Sequence, residues 1–166
     1  MDNNIIPELI KHNISITTME CCTSGLVASY ITDNEGSSAI FKGGLVTYSD
    51  EAKIMMGVNP TTIEKFGVYS AECARDMAQT ALQKFNAQIA IGVTGTTGNV
   101  DPNNSDSVVG ELFYCICTHQ DSFVYKTKYD TKGKSRKEIK EEYVRNIFSS
   151  LYTLYNEKLK SLFVLV

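Results

Sequence analysis

The chain has no tryptophan, two histidines and no excess of positive charge. Its net charge of -3 argues against a general nucleic-acid binder, because such proteins carry a basic surface. No apolar stretch approaches the roughly 18 residues that a membrane span needs. The stretch from Met1 to Asn4 lacks the basic and apolar segments of a secretory signal. We therefore expect a cytoplasmic protein that binds neither nucleic acid nor membrane.

The number and spacing of the cysteines argue against further classes of protein. The count of five is odd and no signal peptide is visible, which favours reduced thiols. There is no Cys-x-x-Cys motif, and the adjacent Cys21 and Cys22 would form a disulfide only with strain, so a thiol redox protein is disfavoured. Cys115 and Cys117 share a face of a strand pattern and are interpreted as small buried residues. Since the histidines have no partner ligands at zinc-like spacing, we expect no metal and no cofactor.

The remaining composition is that of a globular protein, with 43% apolar and 21% charged residues in 166, enough for a single domain over 1–166. Helical periodicity predicts helices over 4–12, 24–33 and 50–56, and Pro60 starts another. Ser70 caps a helix that runs to about Phe85, and Ser135 begins one that runs to about Lys160. Apolar and alternating runs predict strands over 14–19, 41–48, 87–93, 108–117 and 123–129. This order predicts an α/β fold, with a mixed β-sheet and helices packed on its faces.

Candidate residues for chemistry gather after strand ends, in the segments 19–25, 47–53 and 94–107. Cys21 lies where a strand turns into a helix, and the positive end of a helix dipole lowers a thiol pKa. Tyr48 and Lys53 follow the next strand. Individually, these three are more often a core thiol, a strand aromatic and a solvated lysine. Together they supply a thiol, a phenol and an amine, the parts of a covalent hydrolase that uses no histidine.

Two further segments suggest anion binding. The run Thr94-Gly95-Thr96-Thr97-Gly98 is either a simple turn or a loop whose backbone N–H groups bind an anion. The basic stretch from Lys126 to Lys140 is usually a solvated face, but it also offers groups that hold a phosphate.

Ordered motifs connect these segments to a known family. The chain resembles the carboxy-terminal domain of the CinA family, the nicotinamide mononucleotide amidohydrolases, from about Ile5 to Tyr155. Four segments of the chain correspond to family motifs. Residues 19–25 match Ala-Glu-Ser-Cys-Thr-Gly-Gly, and residues 43–53 match Gly-Gly-Val-Val-Thr-Tyr-Ser-Asn-Glu-Ala-Lys. Residues 94–101 match Thr-Gly-Ile-Ala-Gly-Pro-Asp-Gly-Gly, and residues 108–112 match Pro-Val-Gly-Thr-Val. Arg136 falls where the family has the Arg of a Gly-Asp-Arg turn.

The resemblance implies an amidohydrolase that converts the carboxamide of nicotinamide mononucleotide, or of a similar small amide, into the acid and ammonia. It implies Cys21 in the position of the family's serine nucleophile, with Tyr48 and Lys53 assisting. The matched motifs imply that substrate is bound by Glu20, Thr23, Ser24, Gly25, Gly44, Thr47, Thr94, Gly95, Thr96, Gly98 and Arg136. We also expect a homo-oligomer, with the apolar tail 162–166 packed on the domain or on a second copy.

The chain departs from the family at the nucleophile and in the loop. Cys21 replaces serine, the loop lacks the Ala-Gly-Pro and Gly-Gly segments, and Ser107 replaces a lysine. A serine needs a neutral lysine as base, whereas a charged Lys53 would hold a thiol as thiolate, and Tyr48 or Lys53 would then protonate the departing ammonia. The alternative is a catalytically weakened or inactive member that acts as a nucleotide-binding or structural protein.

The sequence generates one direct prediction about thiol reactivity. If its position activates Cys21, limiting iodoacetamide near neutral pH labels Cys21 before the other four cysteines, as measured by peptide mapping. Earlier labelling of Cys73 or Cys115 would contradict an activated thiol at position 21.

Overall fold

The computed structural model describes residues 4–164. The α-helices are α1 (Ile6–Lys11), α2 (Leu26–Thr32), α3 (Asp50–Met56), α4 (Pro60–Phe66), α5 (Ala71–Phe85), α6 (Arg136–Leu154) and α7 (Lys160–Phe163). The strands are β1 (Ile16–Glu20), β2 (Phe41–Val46), β3 (Ile89–Gly95), β4 (Glu111–Cys117) and β5 (Ser122–Lys128). A 3₁₀ turn covers Ser37–Ala39, and one π-helical turn covers Tyr155–Leu159, between α6 and α7.

The five strands form one mixed sheet in the order β2-β1-β3-β4-β5. The first three strands in this order are parallel, so their carboxyl ends lie at one edge. The other two form an antiparallel hairpin that joins the sheet through β3 and β4. The segments after β1, β2 and β3 therefore meet at the same edge of the sheet, as expected for a ligand site in a sheet of this kind.

Alternating side chains of the central strands supply two cores, one on each face. In β3, Ile91 and Val93 pack toward α1, α2 and α6, whereas Ala90 belongs to the core formed with α5. Gly92 lets the backbone of α5 approach the sheet closely, because a Cβ there would meet the carbonyl oxygen of Ala74 and the amide of Ala78. The result is a helix–sheet–helix sandwich in which the site-bearing edge rests on two packed layers.

The predicted fold class, a mixed sheet with helices packed on its faces, is confirmed. The predicted bounds of α3 are also confirmed, since Ser49 caps its start and Gly57 ends it in a left-handed conformation. Buried positions for Cys115 and Cys117 are confirmed too.

Some predicted boundaries are wrong. The strand predicted over 108–117 begins at Glu111, because Gly110 adopts a positive φ and turns the chain before the ladder starts. The α-helix predicted over 135–160 ends at Leu154, where the π-helical turn begins. Of the apolar tail, Phe163 packs against the core, while residues 165 and 166 lie outside the described residues. Within 4–164, no helix is both long and apolar enough to cross a membrane.

Candidate active site

A cavity of about 480 Å³ opens at the carboxyl edge of the parallel strands. It lies between the three segments that follow β1, β2 and β3, together with the start of α6. Its lining consists of Cys21, Cys22, Tyr48, Ser49, Asp50, Glu51, Tyr69, Gly95, Thr96, Thr97, Asn99, Asp101, Pro102, Asn103, Asn104 and Arg136. The topology therefore brings the proposed nucleophile and the Gly/Thr loop to one concave site.

Cys21 and Lys53 are in direct contact beside this cavity. Lys53 Nζ donates a hydrogen bond to Cys21 Sγ at 3.4 Å and another to the Thr47 carbonyl oxygen at 3.0 Å. The thiol donates a long bond of 3.9 Å to the Tyr48 carbonyl oxygen. Lys53 is only 1% exposed, which is rare for lysine, and burial on this scale requires partners such as these. The fold therefore holds Cys21 and Lys53 together as a pair in this site.

A buried carboxylate occupies the positive end of α2. The buried carboxylate of Glu20 accepts backbone N–H bonds from Gly25 at 3.0 Å, Val27 at 3.0 Å and Ala28 at 2.8 Å. It also accepts the Thr23 hydroxyl at 2.6 Å. A carboxylate at a helix amino terminus satisfies its free N–H groups and its dipole. Glu20 therefore holds the turn that carries Cys21, and the free N–H groups at the start of α2 bond to its carboxylate rather than to Sγ.

The expected lowering of the Cys21 pKa is wrong. Burial raises the pKa of Cys21 above its ordinary value, and this effect exceeds the lowering of that pKa by Lys53. The carboxylates of Asp50 and Asp101 raise the pKa further. Cys21 is thus a thiol in the resting site near neutral pH. It remains the thiol expected to be labelled first, because Cys73 and Cys115 are fully buried whereas Cys21 lines the cavity.

Tyr48 and Arg136 meet across the mouth of the cavity. Arg136 Nη2 donates to the Tyr48 hydroxyl at 3.1 Å, and Nη1 donates to Asn99 Oδ1 at 2.8 Å. Among residues 4–164, no acidic side chain forms a salt bridge with Arg136. An Arg with this planar fork and no carboxylate partner is suited to bind a phosphate bidentately.

The sequence reasoning missed a second tyrosine, Tyr69, and its partner Asp101. The Tyr69 hydroxyl donates to Asp101 Oδ2 at 2.6 Å, and the same carboxylate accepts from Asn104 at 2.8 Å and from the Asn103 amide at 2.9 Å. These bonds lower the pKa of Asp101. No periodic pattern marks either residue. In the sequence, Tyr69 is only seen to precede Ser70, and Asp101 to follow the Gly/Thr loop.

The residues predicted to bind substrate divide into two groups. Gly95, Thr96 and Arg136 line the cavity with Cys21 and Tyr48. The cavity lining does not include Glu20, Thr23, Ser24, Gly25, Gly44, Thr47, Thr94 and Gly98.

The second group supports the site from behind or beside it. Thr94 donates its hydroxyl to the Val68 carbonyl oxygen at 2.8 Å, and Thr47 accepts from Lys53. Ser24 accepts a bond of 3.0 Å from Lys140. Gly44 lies close to the Thr18 hydroxyl, where a Cβ would clash.

Backbone donors are also available at the cavity. The amides of Cys22 and Thr97 both belong to lining residues, and neither donates to an oxygen of the described chain. Such amides stabilise a developing oxyanion when they face it. Among residues 4–164, no cluster of His, Cys, Asp and Glu is arranged to hold a metal ion.

Comparison with known proteins identifies the family of this fold and site. The sequence model of the CinA C-terminal domain matches residues 1–155. The Mycoplasma pneumoniae protein named Protein MG115 homolog is 33% identical over 154 residues, covering 92% of this chain and 96% of that protein. The chain therefore belongs to the CinA C-terminal domain family.

Longer relatives and a solved structure extend the comparison. A CinA-like protein of Flavobacterium psychrophilum is 36% identical over 156 residues, which cover 92% of this chain but only 35% of that protein. The crystal structure of the competence/damage inducible protein CihA from Agrobacterium tumefaciens matches with a TM-score of 0.81 and 32% identity, covering 90% of each chain. The chain thus corresponds to one part of the longer CinA-like proteins.

The Cys21–Lys53 contact predicts the direction of a pKa change. In Lys53→Met, loss of the hydrogen bond and the positive charge raises the Cys21 pKa still further, so the pH profile of alkylation moves to higher pH. At any pH below that pKa, the thiolate fraction falls and labelling becomes slower. Iodoacetamide rates from pH 6 to 9 measure the shift, with the exposed Lys42→Met as control. An unchanged profile in Lys53→Met alone would remove Lys53 from the chemistry of Cys21.

Proposed function

We propose that this protein is a cysteine-dependent amidohydrolase that cleaves the carboxamide of nicotinamide mononucleotide or of a similar small nucleotide amide. The observation that carries this proposal is the contact between Cys21 Sγ and Lys53 Nζ at the floor of a nucleotide-sized cavity. Membership of the CinA C-terminal domain family supports the reaction class, since the family resemblance implies such an amidase.

In the first half of the reaction, Cys21 Sγ bonds to the carboxamide carbon and the carbonyl electron pair moves to oxygen. The thiol proton passes to the amide nitrogen through the Tyr48 hydroxyl, while Lys53 Nζ, which donates a hydrogen bond to Sγ, stabilises the negative charge that develops on sulfur. The amides of Cys22 and Thr97 are the backbone donors at hand for the resulting oxyanion. Because the resting thiol has a raised pKa, this proton transfer is a necessary part of the step.

In the second half, the carbon–nitrogen bond breaks and ammonia leaves with an added proton. The Tyr48 hydroxyl, held by Arg136, is proposed to donate that proton. Water then attacks the thioester, the carbon–sulfur bond breaks, and the acid is released with the Cys21 thiol restored. The net reaction is amide plus water giving acid plus ammonia, so no external oxidant or reductant is required.

The phosphate of the substrate is assigned to the mouth of the cavity. Arg136 is bonded there only to neutral oxygens, those of Asn99 and Tyr48, and its charge is not neutralised by a carboxylate salt bridge in residues 4–164. Binding a phosphate on Arg136 leaves the carboxamide free to extend inward toward Cys21. This arrangement orients the amide for attack.

One observation favours a second candidate, a nucleotide-binding protein without turnover. Burial raises the pKa of Cys21, so the thiolate is scarce before a ligand arrives. The same cavity and the same Arg136 would serve a bound nucleotide that is never cleaved. Ammonia release distinguishes the two candidates directly.

We infer a homo-oligomer as part of the same proposal. Large apolar side chains remain exposed at the end of β2 and in α3, namely Val46, Ile54 and Met55. Packing of these side chains against a second copy would remove their apolar surface from water. Sedimentation equilibrium measures the assembly, and a monomer at all concentrations would contradict it.

Replacement of Cys21 tests the nucleophile. The wild-type protein is expected to release ammonia from nicotinamide mononucleotide, and Cys21→Ala is expected to abolish that release because no sulfur remains to attack. Cys21→Ser is expected to fold normally and to retain measurable activity, since it restores the nucleophile of the family motif. A coupled ammonia assay measures all three proteins, with Cys73→Ala as the matched control. An active Cys21→Ala protein would show that Cys21 is not the nucleophile.

Replacement of Tyr48 tests the proton donor. Tyr48→Phe removes the hydroxyl and keeps the ring, so amide cleavage is expected to slow by about 10²–10⁴-fold, the usual contribution of one positioned acid. The alkylation rate of Cys21 should change little, because the contact with Lys53 remains. The exposed Tyr152→Phe serves as control. Full activity in Tyr48→Phe would show that a group other than Tyr48 protonates the leaving ammonia.

A further inference from the structure

The contact between Cys21 and Lys53 places an amine beside a sulfur atom that can be oxidised. Lys53 Nζ lies 3.4 Å from Cys21 Sγ, and the same amine is bonded to the Thr47 carbonyl oxygen at 3.0 Å. Lys53 is 1% exposed, so the surrounding fold holds its amine at this distance. An amine fixed beside a reacting atom in this way has a high effective concentration toward any electrophile that forms there.

A small oxidant has access to the sulfur of Cys21. This residue is 6% exposed and lines the cavity of about 480 Å³, whereas Cys73, Cys115 and Cys117 are 0% exposed. A peroxide oxidises an accessible thiolate to a sulfenic acid. Because burial raises the pKa of Cys21, the thiolate is scarce near neutral pH, and this oxidation is expected to be slow unless the peroxide is in excess.

A sulfenic acid at Cys21 would find the lysine amine already in place. Cys22 also lines the cavity, but a disulfide between adjacent cysteines is strained. Lys53 Nζ already contacts the sulfur, and sulfenic acids condense with nitrogen to form sulfenamides. A serine at position 21, as in the family motif, has no comparable oxidation chemistry. The cysteine in this chain therefore adds a reaction that the family's hydroxyl nucleophile lacks.

We propose that Cys21 and Lys53 form a reversible oxidative cross-link, a sulfenamide bond between Sγ and Nζ. In the first step, hydrogen peroxide transfers one oxygen atom to the thiol, which gives the sulfenic acid and water. Nζ then bonds to Sγ and the sulfur–oxygen bond breaks. The hydroxide leaves with one proton of the ammonium as water, and a second proton passes to solvent. The sulfur is oxidised by two electrons, and the peroxide is reduced by two.

The cross-link would remove both groups on which the proposed chemistry depends. A sulfur atom bonded to nitrogen cannot attack a carboxamide, and Nζ no longer carries the positive charge that stabilises a thiolate. The bond also keeps the sulfur from the irreversible sulfinic stage, and added thiols restore both side chains. Formation of the bond depends only on the contact, whereas its effect on catalysis rests on the proposed function.

Peptide mapping after oxidation tests the cross-link. The reduced protein is treated with excess hydrogen peroxide, the remaining thiols are blocked, and the protein is digested with trypsin. The expected product joins residues 12–42, which contain Cys21, to residues 43–65, because trypsin does not cleave after a modified Lys53. Once methionine oxidation is counted separately, its mass is two hydrogen atoms below the sum of the two peptides. Fragmentation places the bond on Cys21 and Lys53, and dithiothreitol separates the peptides again.

Substitutions on each side of the bond provide the comparison. Lys53→Met and Cys21→Ser are each expected to lose the joined peptide completely. The matched controls are Lys84→Met, at an exposed lysine, and Cys73→Ala, at a buried cysteine, and both should retain it. If Lys53→Met does not fold, fragmentation of the wild-type product still identifies the linked nitrogen.

The outcomes separate the cross-link from the proposed function. A disulfide at Cys21, a bond from its sulfur to a backbone nitrogen within 12–42, or oxidation without any joined peptide would overturn the inference and leave the amidase proposal standing. In a protein that releases ammonia from nicotinamide mononucleotide, we expect peroxide to abolish that release and dithiothreitol to restore it. A joined peptide in a protein that releases no ammonia when reduced would support the bond and overturn its role in catalysis.

Discussion

The burial of the Lys53 amine is the constraint on which the site depends. A lysine that is 1% exposed requires hydrogen-bond acceptors, and it has two, the Thr47 carbonyl oxygen and Cys21 Sγ. The first comes from the end of β2 and the second from the end of β1. A bond of 2.8 Å from the Thr47 amide to the Glu20 carbonyl oxygen continues the pairing of these strands beyond the ladder. Strand register and helix α3 therefore jointly set the distance between amine and thiol.

The charges that act on the Cys21 thiol are the carboxylates of Asp50 and Asp101 and the amine of Lys53. Glu20 occupies the amino terminus of α2, which leaves Lys53 as the group that favours a thiolate. Burial and nearby Asp101 favour the thiol. On the proposed function, Cys21 is a resting thiol that becomes a nucleophile when a substrate fills the cavity and its proton moves through Tyr48 to the leaving amide nitrogen. This proposal differs from one with a permanently ionised cysteine.

Local sequence patterns predicted the helix bounds and the grouping of the site segments, but they could not predict effects that depend on tertiary packing. The bounds of α3 were readable because Ser49 and Gly57 carry their capping signals within a few residues. The grouping of Cys21 with Tyr48 followed from parallel strands whose carboxyl ends share an edge. The sign of the Cys21 pKa shift was not readable, because it depends on burial by distant segments. Asp101 was missed since its loop has no periodicity.

The most direct test of the central claim is to trap the covalent intermediate. Wild-type protein is mixed with a stoichiometric amount of nicotinamide mononucleotide and quenched in acid on the millisecond-to-second scale, and its peptides are weighed by mass spectrometry. The account predicts a transient acyl adduct on the peptide that contains Cys21, formed at the rate at which the first equivalent of ammonia appears. A burst of ammonia with that peptide unmodified, or with the adduct on another residue, would contradict it.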